Sequence, residues 1–221
     1  MNILLLSAGG PTAHGAIKSL KDINFNGKIV SIDSNPLSAG FYLSDSYHIV
    51  PKAFEDGYVE KIWSIVNKEK IDLILPTSSN DIVTLSKNNH LFEGKLFMSD
   101  YEAIDICSDK LKFYEKCKGK FPLPKTSINY NDIDYPLFAK PKEHSAGSRG
   151  ISLCKNIQNI NCLNTDKYKY IYQEYLPGME YTIDVLCDMD SNPLVIVPRE
   201  RLQTKAGISS KGRIVRNDFI E

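Results

Sequence analysis

The sequence predicts a chain of two parts: an α/β unit on a doubly wound parallel sheet over residues 1–108, then an α+β region over residues 109–221 built on antiparallel strands. Three observations predict it. Short apolar runs alternate with stretches of helical spacing through the first hundred residues, as a parallel sheet with crossover helices requires. The first apolar run ends in a glycine-rich turn that leads into a helix, the opening of a βαβ unit. Beyond residue 108 the alternation stops, and strand-like runs follow one another across Pro, Gly and Asn turns.

The elements follow in order. Residues 2–6 form an apolar run that ends at Ser7-Ala8-Gly9-Gly10, and residues 13–22 carry Ala16, Ile17 and Leu20 at helical spacing. Gly27 precedes a second strand over 28–32 that ends on Asp33, and a third strand is expected over 47–51. Residues 58–68 read as an amphipathic helix through Val59, Ile62, Ile65 and Val66, followed by a fourth strand over 71–76, a helix beginning at 81–85 and a fifth strand over 94–98. The boundary is placed at residues 99–108. After it come a helix over 109–117, a Pro-rich turn over 121–124, and strands over 137–141, 150–154, 170–175, 181–187 and 194–198. Residues 213–221 read as the approach to a helix, so the chain is expected to stop inside its second domain.

Composition excludes several classes. Twenty-seven Lys and Arg balance twenty-seven Asp and Glu, and they are dispersed, so no bulk field favours nucleic acid or an anionic membrane surface. No apolar run approaches the roughly 20 residues that cross a bilayer, and the N-terminus lacks the pattern of a secretory signal, so a cytoplasmic protein is expected. The five cysteines form an odd set without a CxxC pair, which suits singly buried, reduced thiols better than disulfides or a zinc site.

Two regions carry candidate chemistry. The first is the turn from Gly9 to Gly15, whose amides can meet an anion at a helix start. It is not GxGxxG, yet Asp33 stands where a ribose-binding acid would, so three readings stay open: a plain tight turn, a small-molecule site at the strand ends, or a nicotinamide or flavin site. His14 either donates to a substrate carboxylate or is a satisfied structural donor. Loops 34–41 and 77–81 are the expected walls of an acceptor pocket, with Asp81 holding an amine or capping the next helix. The second region brings four segments in one order: Ser108-Asp109-Lys110, a strand with Lys140 at its centre, the small-residue loop over 144–150, and residues 171–184 with Glu174 and Glu180 around a Pro-Gly hinge. A mid-strand lysine is costly unless an anion such as a phosphate meets it, and the loop after it can close amides over that phosphate.

In these four segments the sequence resembles the ATP-grasp superfamily, in particular the carboxylate-amine ligases similar to carbamoyl phosphate synthase large subunit and biotin carboxylase. The resemblance implies a Rossmann-like pre-ATP-grasp domain over residues 1–108 and an ATP-grasp domain over 109–221 that lacks its final metal-binding part. It implies that Lys110 and Lys140 contact the phosphates of ATP, and that Ser145, Gly147, Ser148 and Gly150 belong to the phosphate-covering loop. Glu174 would accept from the adenine amino group, with the main chain at Tyr175 and Leu176 completing that contact, and Glu180 would hold the ribose. Arg199 and Arg201 are carried over as catalytic residues on the acyl-phosphate side. No match to the family's magnesium ligands follows Glu180, so those ligands are expected beyond residue 221 and this chain alone is expected to be inactive. The implied activity is ATP-dependent C–N ligation through an acyl phosphate, with a small carboxylate and an amine or other nucleophile as partners, no nucleic acid, no membrane, and self-association left open. The rival readings are a non-catalytic nucleotide or small-molecule binding module and a dinucleotide-dependent oxidoreductase.

Overall fold

Leu4, Leu5 and Leu6 are fully buried, and their alternation shows why an unbroken apolar run is needed at the start of the chain. In the computed structural model they belong to or follow β1 (Asn2–Leu5), an inner strand of a parallel sheet. The structure describes residues 1–143, 150–188, 190–205 and 208–217. The chain divides into two units, residues 1–108 and 109–221.

The first unit pairs β1 with β2 (Lys28–Asp33) on one side and β4 (Leu73–Leu75) on the other, and β3 (Ser46–Ile49) extends β2 at the edge, all parallel. Ile3, Leu5 and Ile29 turn to one face, where Ile17 of α1 (Pro11–Asp22) packs. Leu4, Leu6, Val30 and Ile32 turn to the other, against Ile62, Ile65 and Val66 of α2 (Tyr58–Lys68). These α2 residues recur at the spacing of one helix face, and each side chain so buried stabilises the unit by about 1.5–3 kcal/mol. Helices on both faces make the sheet doubly wound, as expected. One expectation is corrected. Residues 94–98 do not form a fifth strand: Leu96 meets Ile74 in an isolated bridge, with Phe97 N donating to Ile74 O at 3.0 Å. The first unit closes with α3 (Ser79–Ser86) and α4 (Tyr101–Ser108), whose Ile104 is buried.

The second unit opens with α5 (Lys110–Cys117). Its strands form two antiparallel sheets rather than one. The first has the order β5-β8-β6-β7, from β5 (Thr126–Ser127), β6 (Leu137–Pro141), β7 (Ser152–Cys154) and β8 (Tyr170–Glu174). Leu137, Ala139, Cys154 and Tyr172 pack on one face with Ile160 of α6 (Ile157–Asn161). Alternation along β6 therefore sends Phe138 and Lys140, both half-buried, to the opposite face. The second sheet has the order β11-β10-β9, from β9 (Tyr181–Cys187), β10 (Pro193–Lys205) and β11 (Ile208–Ile214). The strand expected over 194–198 is thus much longer, and Arg213 and Ile214 end a strand instead of approaching a helix. Of the five free thiols Cys154 is buried, Cys117 is half-buried and Cys107, Cys162 and Cys187 are exposed, which corrects the expectation that all are buried singly. No helix of the described residues is long and apolar enough to cross a membrane.

Candidate functional site

The face of β6 and β8 turned away from the core forms the floor of a cleft of about 950 Å³ within the second unit. Phe138, Lys140 and Gln173 supply the floor, residues 174–180 one wall, and Arg201 of β10 lines it as well. Lys140 Nζ donates to Gln173 Oε1 and stands 5.4 Å from the centre of the Phe138 ring. Burial pulls the Lys140 ammonium below its ordinary pKa, and the positive charge of Lys110 adds to that, against the opposing charge of Glu180. Burial lowers Lys110 too, with Asp109 opposing.

Local chemistry explains how Lys110 is held. Asp109 caps α5, its Oδ1 accepting from the amides of Leu111 at 2.8 Å and Lys112 at 3.1 Å. Lys110 N donates to Lys142 O at 3.0 Å, and Lys142 Nζ meets Asp109 Oδ2 at 3.0 Å, which ties the first turn of α5 to the end of β6. A desolvated ammonium on the cleft floor, held by a neutral amide and not by a carboxylate, favours an anion within reach.

The other expected site residues separate. Glu174 lines the cleft, while its Oε2 accepts from Lys125 N at 3.0 Å and its own amide donates to Lys125 O at 2.9 Å, so part of its carboxylate fastens the segment before β5. Tyr175 and Leu176 line the same wall, the Tyr175 ring 5.7 Å from that of Phe138. Glu180 accepts from Arg201 Nη1, and Arg201 N donates to Glu180 O at 2.8 Å, so this pair forms a charged rim. Arg199 is placed apart from these residues: its guanidinium takes both oxygens of Asp184, at 2.6 and 3.2 Å, and it is not among the residues lining the cleft. Gly150 has φ +76°, and a Cβ there would lie 2.9 Å from both the Pro141 ring and the Tyr168 ring, so glycine is required where the small-residue loop returns. Ser145, Gly147 and Ser148 lie outside the described residues. Sequence reasoning missed Thr126, Phe138 and Gln173, whose shared face follows only from strand register.

In the first unit the candidate residues are engaged internally. Asp33 Oδ2 accepts from Gly9 N at 2.7 Å and its Oδ1 from Asn35 N at 2.8 Å, so the acid suited to a ribose instead pins the glycine turn. Asp81, 3% exposed, accepts from Ser7 Oγ at 2.6 Å, Tyr58 OH at 2.7 Å and Ser78 Oγ at 2.8 Å. It is neither the cap nor a free amine holder; Ser78 is the cap of α3, accepting from Asp81 N. Burial and the Asp81 charge push the Tyr58 hydroxyl far up, which keeps it a donor. A cavity of about 160 Å³ at the strand ends is lined by Ser34, Ser78, Asn80 and Asp81 from the expected loops, and also by residues 50–53. His14 Nε2 is buried without a partner among the described residues, which does not fit a satisfied donor at that nitrogen. Among the described residues no group of three or more His, Cys, Asp or Glu side chains is placed to hold a metal ion, so none is assigned to magnesium.

Comparison with known proteins bears on this cleft. The family model described as the ATP-grasp domain matches residues 107–218, and that of the PylC-like N-terminal domain matches residues 3–96. The chain is 24% identical over 193 residues to the arginine-specific large chain of carbamoyl phosphate synthase from Halalkalibacterium halodurans, covering 80% of this chain and 18% of that relative. Among solved structures it is similar to N5-carboxyaminoimidazole synthetase of Staphylococcus aureus complexed with ADP, with TM-score 0.69 and 15% identity over 94% of this chain and 56% of that one. It is likewise similar to the biotin carboxylase domain dimer of Hydrogenobacter thermophilus 2-oxoglutarate carboxylase, in complex with MgADP, ADP and bicarbonate, with TM-score 0.67 and 18% identity over 94% of this chain and 51% of that one. The chain therefore spans about a fifth of the first curated relatives and about half of these structures. The parallel unit, the antiparallel unit after it and a family model spanning half of the sequence agree, and this chain belongs to the ATP-grasp family.

Proposed function

We propose that the cleft of the second unit binds ATP, with the phosphates toward Lys140 and Lys110, the adenine against residues 174–176 and the ribose near Glu180. The observation that carries this reading is Lys140, half-buried on the cleft floor beside Phe138, Tyr175 and Leu176, with its ammonium held by a neutral amide. Phosphate oxygens would neutralise the lysines, while Phe138, Tyr175 and Leu176 offer a surface for a flat base.

The whole protein, on this reading, is an ATP-dependent carboxylate-amine ligase. The bond from the γ-phosphorus to ADP breaks as a substrate carboxylate oxygen bonds to that phosphorus, and an amine then attacks the acyl carbon and expels phosphate. No protein nucleophile is needed; positioning and charge neutralisation carry the first step. Magnesium enters as a companion of the nucleotide, and self-association, as in the dimeric carboxylase domain, is part of the proposal.

Calorimetric titration with ADP and a non-hydrolysable ATP analogue, with and without magnesium and with NADH as control, tests the binding. Adenine-nucleotide binding without NADH binding supports it, whereas NADH binding alone would move the chemistry to the glycine turn. Carboxylate-dependent ADP release by the full-length protein tests the ligase. Binding without such release favours a nucleotide-binding module.

A further inference from the structure

One hydrogen-bond chain crosses three strands beneath the cleft. β5, β8 and β6 lie side by side, and their register sets Gln173 opposite both Thr126 and Phe138. Lys140, two residues on from Phe138, is therefore the diagonal neighbour of Gln173 on the same face.

The chain has one sense. Thr126 Oγ1 donates its proton to Pro124 O at 3.0 Å, so toward Gln173 it can only accept. The group of Gln173 that faces it, at 3.0 Å, must then be the amide NH₂. Oε1 is thereby turned to Lys140, where it accepts from Nζ. With the amide reversed, an NH₂ would face an ammonium, donor against donor. Thr126 is only 7% exposed, so water does not compete for its hydroxyl.

We infer that Gln173 is a positioning residue for the Lys140 ammonium, with its amide orientation set by Thr126. The inference rests on the reading of the cleft as a phosphate site. A neutral acceptor suits this position: it keeps the proton on a desolvated lysine and aims it without placing a negative charge beside the phosphates. The charged groups that act on Lys140 are Lys110 of α5, which repels it, and Glu180, which attracts it while paired with Arg201.

Two readouts test the inference on the full chain. Competitive acylation of lysines across pH, read by peptide mass spectrometry, follows the ionisation of Lys140 with no ligand present. Gln173→Met, which keeps the length of the side chain, is expected to move the Lys140 midpoint down by about half a pH unit or more. Gln173→Glu is expected to move it up. Thr126→Val follows Gln173→Met with a smaller shift, and Thr126→Ser restores the parent value. In parallel, Gln173→Met is expected to weaken ADP about tenfold and leave adenosine within about twofold, because only the phosphates meet Lys140. A site that had merely lost its shape would weaken both ligands. An unchanged Lys140 midpoint in both Gln173→Met and Gln173→Glu overturns the inference. A shifted midpoint in a parent chain that binds no ADP leaves the coupling but removes the phosphate reading, and the positioning role falls with it.

Discussion

Asp33 and Asp81 in the first unit and Lys110 and Lys140 in the second are all polar groups withdrawn from water, yet their surroundings differ in kind. The two aspartates stand at the carboxyl ends of parallel strands, where open α/β sheets hold ligands. Each is nevertheless held by donors of its own fold: the amides of Gly9 and Asn35 for Asp33, and three hydroxyls for Asp81. In the second unit the desolvated Lys140 ammonium rests on a neutral amide, with no carboxylate of its own fold bound to it among the described contacts. Donors that surround a carboxylate complete it, whereas an ammonium held only by a neutral amide still favours an anion. Location on the fold alone does not tell which polar residue is open to a ligand; an accounting of donors, acceptors and charge does.

The contrast is broken most severely at Asp81. Asp81→Ala leaves the hydroxyls of Ser7, Tyr58 and Ser78 without their acceptor, and a loss of about 3 kcal/mol in the stability of the first unit is expected in urea unfolding. Retained stability in that variant would mean that Asp81 is not the internal tie described here. Lys140→Ala is expected to do the reverse: the thermal midpoint holds, and ADP binding weakens about 10- to 100-fold, the worth of a charge-assisted hydrogen bond. Calorimetry and a melting curve on the same sample separate the two effects.

A pH series sharpens the comparison further. Hydrogen bonds from Lys28 at 2.6 Å and His48 at 2.7 Å hold the Glu69 carboxyl below its ordinary value. A lowered carboxyl contributes stability that is present above its unfolded pKa and is lost as pH falls through the folded one. Stability of the first unit should therefore decline below the usual carboxylate value of 4.5, and Glu69→Gln should flatten that decline. An identical acid limb in the variant would exclude this source. The smallest effect is expected at Arg199. Its ion pair with Asp184 is partly exposed, so Arg199→Ala should cost less than about 1 kcal/mol and leave nucleotide affinity unchanged. A loss of affinity would place Arg199 in the nucleotide site.

Much of this was legible in the sequence because the physics is local. The apolar run 2–6, the spacing of Ile62, Ile65 and Val66, and the isolated Lys140 between apolar neighbours each state their environment within a few residues. What was not legible depends on register and on partners far along the chain. Residues 94–98 look like a strand, but sheet pairing reaches them only through one bridge. The extent of β10 and the existence of β11 arise from each other, since two polar, charged strands gain their hydrogen bonds by pairing. Asp81 reads as a cap from its place near a helix start, and nothing nearby announces Tyr58 or Ser7 as its donors. Arg199 and Arg201 are indistinguishable by spacing; only Asp184 and Glu180, on the neighbouring strand and its approach, part them.

The claim that nucleotide chemistry resides in the second unit is tested most directly by photolabelling the chain with 8-azido-ADP and sequencing the modified peptide. The account predicts a label within residues 173–181, competed by ADP and reduced in Lys140→Ala. A competed label within residues 7–15, at the glycine turn of the first unit, would contradict it.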